Sequence, residues 1–127
     1  MGQTAAGSVG DESKMVRLNL DIADLSADAT YYVPVPCVGF LRRIMSCIDG
    51  VVSTADVTIT PDLNAGTALV GGVITIATAN SAAGDVDSAV PESCPRLVVG
   101  DYLKFTVAGG GAGGSPRGHV VIEIERD

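Results

Sequence analysis

Tryptophan is absent from this 127-residue chain, and three Tyr and two Phe bring the aromatic share to only 4%. The stacking platforms of single-strand nucleic-acid binders and of many sugar sites are therefore scarce. Basic residues are also few: eight Lys and Arg face fifteen carboxylates, for a net charge of −7. A nucleic-acid binder neutralises several phosphates with a clustered basic face. Here only Arg42 and Arg43 are adjacent, so no nucleic-acid partner is expected. The three cysteines, Cys37, Cys47 and Cys94, form no CxxC pair, and His119 is the one imidazole. A structural zinc site would need all four side chains, at spacings that fit no zinc pattern. The thiols are expected to stay reduced and to pack as small hydrophobes, in a chain folded in a cytosol. No apolar run approaches the ~18 residues of a membrane span, and no charged-plus-apolar signal segment opens the chain. Met1–Ala6 lacks the Ser or Thr that myristoylation wants where Ala6 stands. A soluble, unanchored chain with no membrane partner is expected.

What is present is apolar residue at a period of two. Hydrophobic residues make up 46% and charged ones 18%, with mean hydropathy +0.36, values that suit a folded core rather than a disordered chain. The length fits one domain. Residues 1–14 are small, polar and Gly-rich, and read as a flexible N-terminal arm outside a single domain of residues 15–127. Val16, Leu18 and Leu20 alternate with Arg17 and Asn19, as in a half-buried strand. Tyr31 to Val35 is extended, and Pro34 and Pro36 confine it to an edge or a bend. Val38 to Ile48 fits helical spacing as well as a strand buried on both faces; Gly39 and Asp49–Gly50 at its ends favour strand. Asp49–Gly50 reads as a hairpin turn with Val51–Val52 resuming at once. Val57 and Ile59 alternate with Thr58 and Thr60 until Pro61 ends the run. Ala68 to Val70 and Val73 to Ala77 read as two short strands about Gly71–Gly72, Asn80 to Glu92 as an irregular stretch, and Leu97 to Val99 as a short segment. Leu103, Phe105 and Val107, then Val120, Ile122 and Ile124, mark the two clearest strands. Seven or eight short strands with no long helix predict an all-β fold, an antiparallel β-sandwich or barrel.

The motifs that suggest chemistry each meet a plainer reading. Gly109, Gly111 and Gly114 satisfy GxGxxG, but Ser115, Pro116 and Gly118 lead into a strand, so the helix N-terminus that cradles a pyrophosphate is missing. A hairpin tip is expected. Asp85 with Asp87, and Asp21 with Asp24 and Asp28, offer oxygens to calcium, yet loop aspartates usually cap turns. Glu123 and Glu125 share a face of the last strand and read as its solvated side rather than a glycosidase pair. Ser115 and His119 lack a visible orienting acid and oxyanion hole. No catalytic residue, metal or cofactor is expected, and the chain is not expected to be an enzyme. Arg42 and Arg43 point to opposite faces if they lie on a regular strand, so one of them must meet a buried or interfacial carboxylate. They are candidate subunit or partner contacts, together with Tyr31 and Tyr32 on an edge that needs covering.

The order of segments resembles the small β-sandwich decoration (cement) proteins of tailed bacteriophages. Leu18-Asn19-Leu20-Asp21-Ile22-Ala23-Asp24-Leu25-Ser26 is followed by Tyr31-Tyr32-Val33-Pro34-Val35-Pro36, and then by Gly39 through Ile48-Asp49-Gly50. Thr54-Ala55-Asp56 leads a Thr-rich strand, Gly71 to Ala77 precedes Ser81 to Asp87, and Gly100-Asp101 opens the penultimate strand. The likeness runs from Met15 to Asp127. It implies a jelly-roll-like fold, a place on the outer surface of an HK97-type head, and synthesis in the host bacterial cytoplasm. It implies the major capsid protein and further copies of itself as partners, in homotrimers at local three-folds or, alternatively, dimers at two-folds. The implied role is to clamp neighbouring capsid subunits against internal DNA pressure. Two other classes fit parts of the chain. One is a carbohydrate-binding β-sandwich of a phage tail or fibre, using Tyr31, Tyr32 and Tyr102. The other is a trimeric nucleotide hydrolase, because Gly109 to Gly114 resembles the Gly-rich segment of trimeric dUTPases. The segment Cys47 to Gly50, however, lacks the Tyr and Arg which that family places after its Asp.

Overall fold

The computed structural model describes residues 14–108 and 113–127. The expected arm at 1–14 (save Lys14) and residues 109–112 of the glycine loop lie outside the described residues. Among those described, nine strands follow in chain order: β1 (Met15–Ile22), β2 (Ala29–Pro34), β3 (Gly39–Ile48), β4 (Val57–Leu63), β5 (Thr67–Ala68), β6 (Ile74–Ile76), β7 (Val86–Ala89), β8 (Tyr102–Ala108) and β9 (Gly118–Arg126). They form two packed antiparallel sheets, the first in the order β1-β9-β3-β7 and the second β2-β8-β4-β5, with β6 also pairing β4. The first strand therefore pairs the last, and the second pairs the penultimate. This nesting is jelly-roll-like, with β5 and β6 sharing one strand position.

Alternation decides what each strand buries. β8 turns Leu103, Phe105 and Val107 inward, β9 turns Val120, Ile122 and Ile124, and β4 turns Val57, Ile59 and Leu63; all nine are buried. Each such side chain contributes roughly 1.5–3 kcal/mol on leaving water. Leu41, Ile44 and Ile48 of β3 and Ile74 and Ile76 of β6 complete the centre. The two sheets also touch where β6 meets β7. On the opposite side the packing is looser. There the inward residues Val16, Leu18 and Leu20 of β1 and Tyr31 of β2 are only half-buried.

Several local expectations need correction. Asp49–Gly50 is not a hairpin turn, because the chain leaves the first sheet there and β4 lies in the second. Asp49 instead accepts a hydrogen bond from the Arg117 amide at 2.8 Å, tying this corner to the entry of β9. Pro61 does not end its strand. It lies within β4 opposite Phe105, and falls between the residues that pair β6 (Val57 to Ile59) and those that pair β5 (Asp62 and Leu63). A proline is tolerated there because no ladder is completed on that side. For the same reason β5 and β6 do not form a hairpin about Gly71–Gly72. Both pair β4, and the glycines carry the chain past Pro61 and Glu92: at Gly71, φ is +87° and a Cβ would lie 2.9 Å from the Glu92 side chain. Asn80 to Glu92 contains a strand, β7, and Leu97 contributes one isolated bridge to Gly39.

Candidate interaction surface

The outer face of the first sheet gathers Arg42, Arg43, Glu123, Glu125, Asp21 and His119 from among the residues singled out from the sequence. β3 buries Gly39, Leu41, Ile44, Ser46 and Ile48, a pattern that skips one residue between Leu41 and Ile44. The register explains the skip: Glu123 lies opposite Arg43 and the next residue, Ile124, opposite Leu41, so Arg42 is the extra residue of a β-bulge. A bulge resets the alternation, and both arginines come out on the same face. The expectation that the two point to opposite faces is thereby overturned, and each side chain is about half exposed.

Carboxylates meet these arginines across the strands. Glu123 stands opposite Arg17 of β1 on one side and Arg43 of β3 on the other. The Arg43 Nε–H donates to Glu123 Oε1 at 2.8 Å, and the Arg17 Nε–H to Oε2 at 3.0 Å. Although it points outward, Glu123 is only 3% exposed, because the two arginine stems cover it. The hydrogen bond from Arg43, aided by Arg17, holds its carboxyl below the usual range, against the opposing effect of burial. Glu123 is thus not the solvated residue that the sequence implied. Glu125, one pair further along, is the more open of the two and accepts from the Arg42 Nε–H at 2.6 Å. The Arg42 guanidinium also sits 5.4 Å from the Phe40 ring centre. Along the same face Met45 and Val121 pair, and His119 lies opposite both Cys47 and Asp21. Its Nδ1 is 2.6 Å from an Asp21 carboxylate oxygen.

Tyr31 and Tyr32 part company. Tyr31 lies opposite Phe105 and turns inward against the core, whereas Tyr32 lies opposite Lys104 and is 63% exposed. Tyr32 shares the outer face of the second sheet with Tyr102, their ring centres 5.6 Å apart and edge to face. That face also carries a row of Thr30, Thr106 and Thr60.

Three of the acids considered for calcium, Asp21, Asp24 and Asp85, have local partners. Asp24 accepts from the amide and hydroxyl of Ser26, which lowers its carboxyl below the ordinary value. Asp85 accepts from the Ala82 amide at 2.8 Å. Two further acids, Asp56 and Asp101, are not among those calcium candidates but accept local hydrogen bonds in the same way. Asp56 accepts from the amide and hydroxyl of Thr78, and Asp101 from the Val98 amide and the Asn64 side chain. Ser115 lies with its hydroxyl 3.5 Å from that of Ser26, while His119 is engaged with Asp21. The three cysteines are free and half-buried; Cys37 and Cys94 pack on the core, and burial pushes the Cys94 thiol up.

The structure therefore brings Arg17, Arg42, Arg43, Glu123 and Glu125 together and leaves Tyr31 and Tyr32 on another sheet. Nothing in the sequence marks Arg17 and Glu123, 106 residues apart, as neighbours. No protein-family model matches this chain, and no curated protein matches it.

Proposed function

We propose that this chain is a structural virion protein that binds the outer surface of an HK97-type phage head and clamps neighbouring capsid subunits. The observation that carries the reading is the nesting of first strand with last and second with penultimate, the jelly-roll-like fold implied by the decoration-protein order of segments. Two features of the surface support an adhesive role. The outer face of the first sheet presents arginines whose positions are set by cross-strand carboxylates, the preorganisation that lowers the cost of ordering side chains at an interface. In addition, Val70, Val86, Val90 and Val99 are each more than half exposed, and apolar residues at the surface gain most when a partner covers them. Arg42 and Arg43 are the contact residues of this reading, with Tyr32 on the second sheet; Tyr31 now has an inward role. No catalytic step is part of it. The test is binding of the purified chain to expanded heads that lack it. Saturable binding at a fixed ratio to the major capsid protein is expected, and no binding would overturn the reading.

One observation favours a second reading, a carbohydrate-binding sandwich: Tyr32 and Tyr102 share an outer face with Lys104 and Asp62. Their edge-to-face arrangement offers one ring rather than a flat platform. A glycan array, with quenching of tyrosine fluorescence as a second readout, decides between the two.

A further inference from the structure

β1 is a terminal strand of the first sheet, paired among the described residues with β9 alone. It is eight residues long and contains no proline. Its inward side chains, Val16, Leu18 and Leu20, are left half-buried. Edges of this kind are templates for another strand unless they are covered or broken. From Val16 the strand reads Val-Arg-Leu-Asn-Leu-Asp-Ile, which is its own complement when turned about Asn19.

We propose that two copies of this chain pair β1 with β1, antiparallel, about a two-fold axis at Asn19, and so join two four-stranded sheets into one of eight strands. In this register Asn19 faces the partner's Asn19, Leu18 faces the partner's Leu20, and Val16 faces the partner's Ile22. Arg17 faces the partner's Asp21. Every pair keeps its side chains on one face, as a ladder requires. Arg17, Asn19 and Asp21 are all on the outer face, since they lie opposite Glu123, Val121 and His119. Arg17 donates its Nε–H to Glu123, and its positive charge opposite the partner's Asp21 favours this register over one that sets like charges face to face. Asp21 is 75% exposed at its side chain and accepts several bonds. On the inner face the leucines and valine left half-open by one copy meet their counterparts, so the two cores become continuous. The contact is isologous and closes on itself, which satisfies the edge without recruiting further chains.

The inference does not rest on head binding. A monomer that still decorates heads sinks only the interface, and a dimer that ignores heads sinks only the proposed function. The test is sedimentation equilibrium of the full chain with two variants, each checked for folding by thermal melting. The wild type is expected to be a dimer. Asp21→Arg sets arginine against arginine and is expected to weaken it tenfold or more. Asn19→Cys places two thiols across the axis at a Cα separation of about 4.5–5.5 Å, within disulfide range. It is expected to give a covalent dimer on oxidation that wild type, with its own three cysteines, does not. A monomeric or trimeric mass overturns the proposal, as does a dimer indifferent to Asp21→Arg or a folded Asn19→Cys variant that does not crosslink. Deleting Met1 to Ser13 is expected to leave the dimer intact. Dimerisation that appears only after the deletion makes that segment the occupant of the edge and also overturns the proposal.

Discussion

Glu123 is the residue on which the outer face of the first sheet turns. Two arginines from flanking strands hold one carboxylate that is almost wholly covered. Removing one partner of a fully buried pair costs about 3–5 kcal/mol, but these arginines are half exposed and solvent screens them. Glu123→Gln is therefore expected to cost about 1–2 kcal/mol at pH 7, after that discount. The sign of the pH dependence follows from the lowered folded-state pKa. Glu123 contributes fully above its ordinary value of 4.5, and the contribution is lost as the pH falls through the lowered one. Denaturant unfolding of both proteins from pH 7 to pH 2 checks this. The gap between them should begin to narrow as the pH falls below 4.5 and close once it passes the lowered value, whereas a constant gap would show that the ion pairs do not stabilise the fold. The sequence could not reveal this residue's state. Its partners are 106 and 80 positions away, and an acid alternating with apolar residues reads as solvated until its neighbours are known.

At the scale of elements, strands with one apolar face are plain in the sequence, and those with interruptions are not. β1, β8 and β9 follow a period of two without a break, so their alternation alone locates them. β4 looks shorter than it is, because a proline normally breaks a ladder and nothing local shows that the neighbouring strand is divided at Pro61. β7 escapes notice because its four residues, Val-Asp-Ser-Ala, have little alternation, and it lies at a sheet edge. The bulge at Arg42 is the most consequential of these hidden features, since one extra residue reverses the face of everything beyond it. It also gives a test. Deleting Arg42 leaves Leu41 and Ile44 inward and Arg43 outward, so the chain should still fold, with a loss under about 2 kcal/mol. Deleting Ile44 inverts part of the strand and should prevent folding; thermal melts of the two deletions compare them. The close approach of β3 to β9 gives another. A Cβ at Gly39 would collide with the Glu125 backbone carbonyl, which cannot move without breaking the ladder. Gly39→Ala is expected to cost about 3 kcal/mol, and a neutral effect in denaturant unfolding would show that the strands separate easily there.

At the scale of the whole molecule, the class of fold is readable from composition and punctuation: short alternating segments, glycine and proline between them, and no helix-length period. The connectivity is not, because nothing in β1 alone says that its partner is the last strand of the chain. The outer face of the first sheet is legible only in part. Arg42 and Arg43 stand out as an adjacent pair, but their shared face, their carboxylate partners and the third arginine depend on that connectivity. The proposed adhesive role draws on three features of this sandwich: its nested strand order, its preorganised charged face and its half-buried edge strand. The measurement that tests the proposed role most directly is the copy number of the chain in purified particles of a phage proposed to carry it, by quantitative gel against the major capsid protein. Copies near-stoichiometric with the capsid lattice are predicted, and absence from the particle would contradict the account.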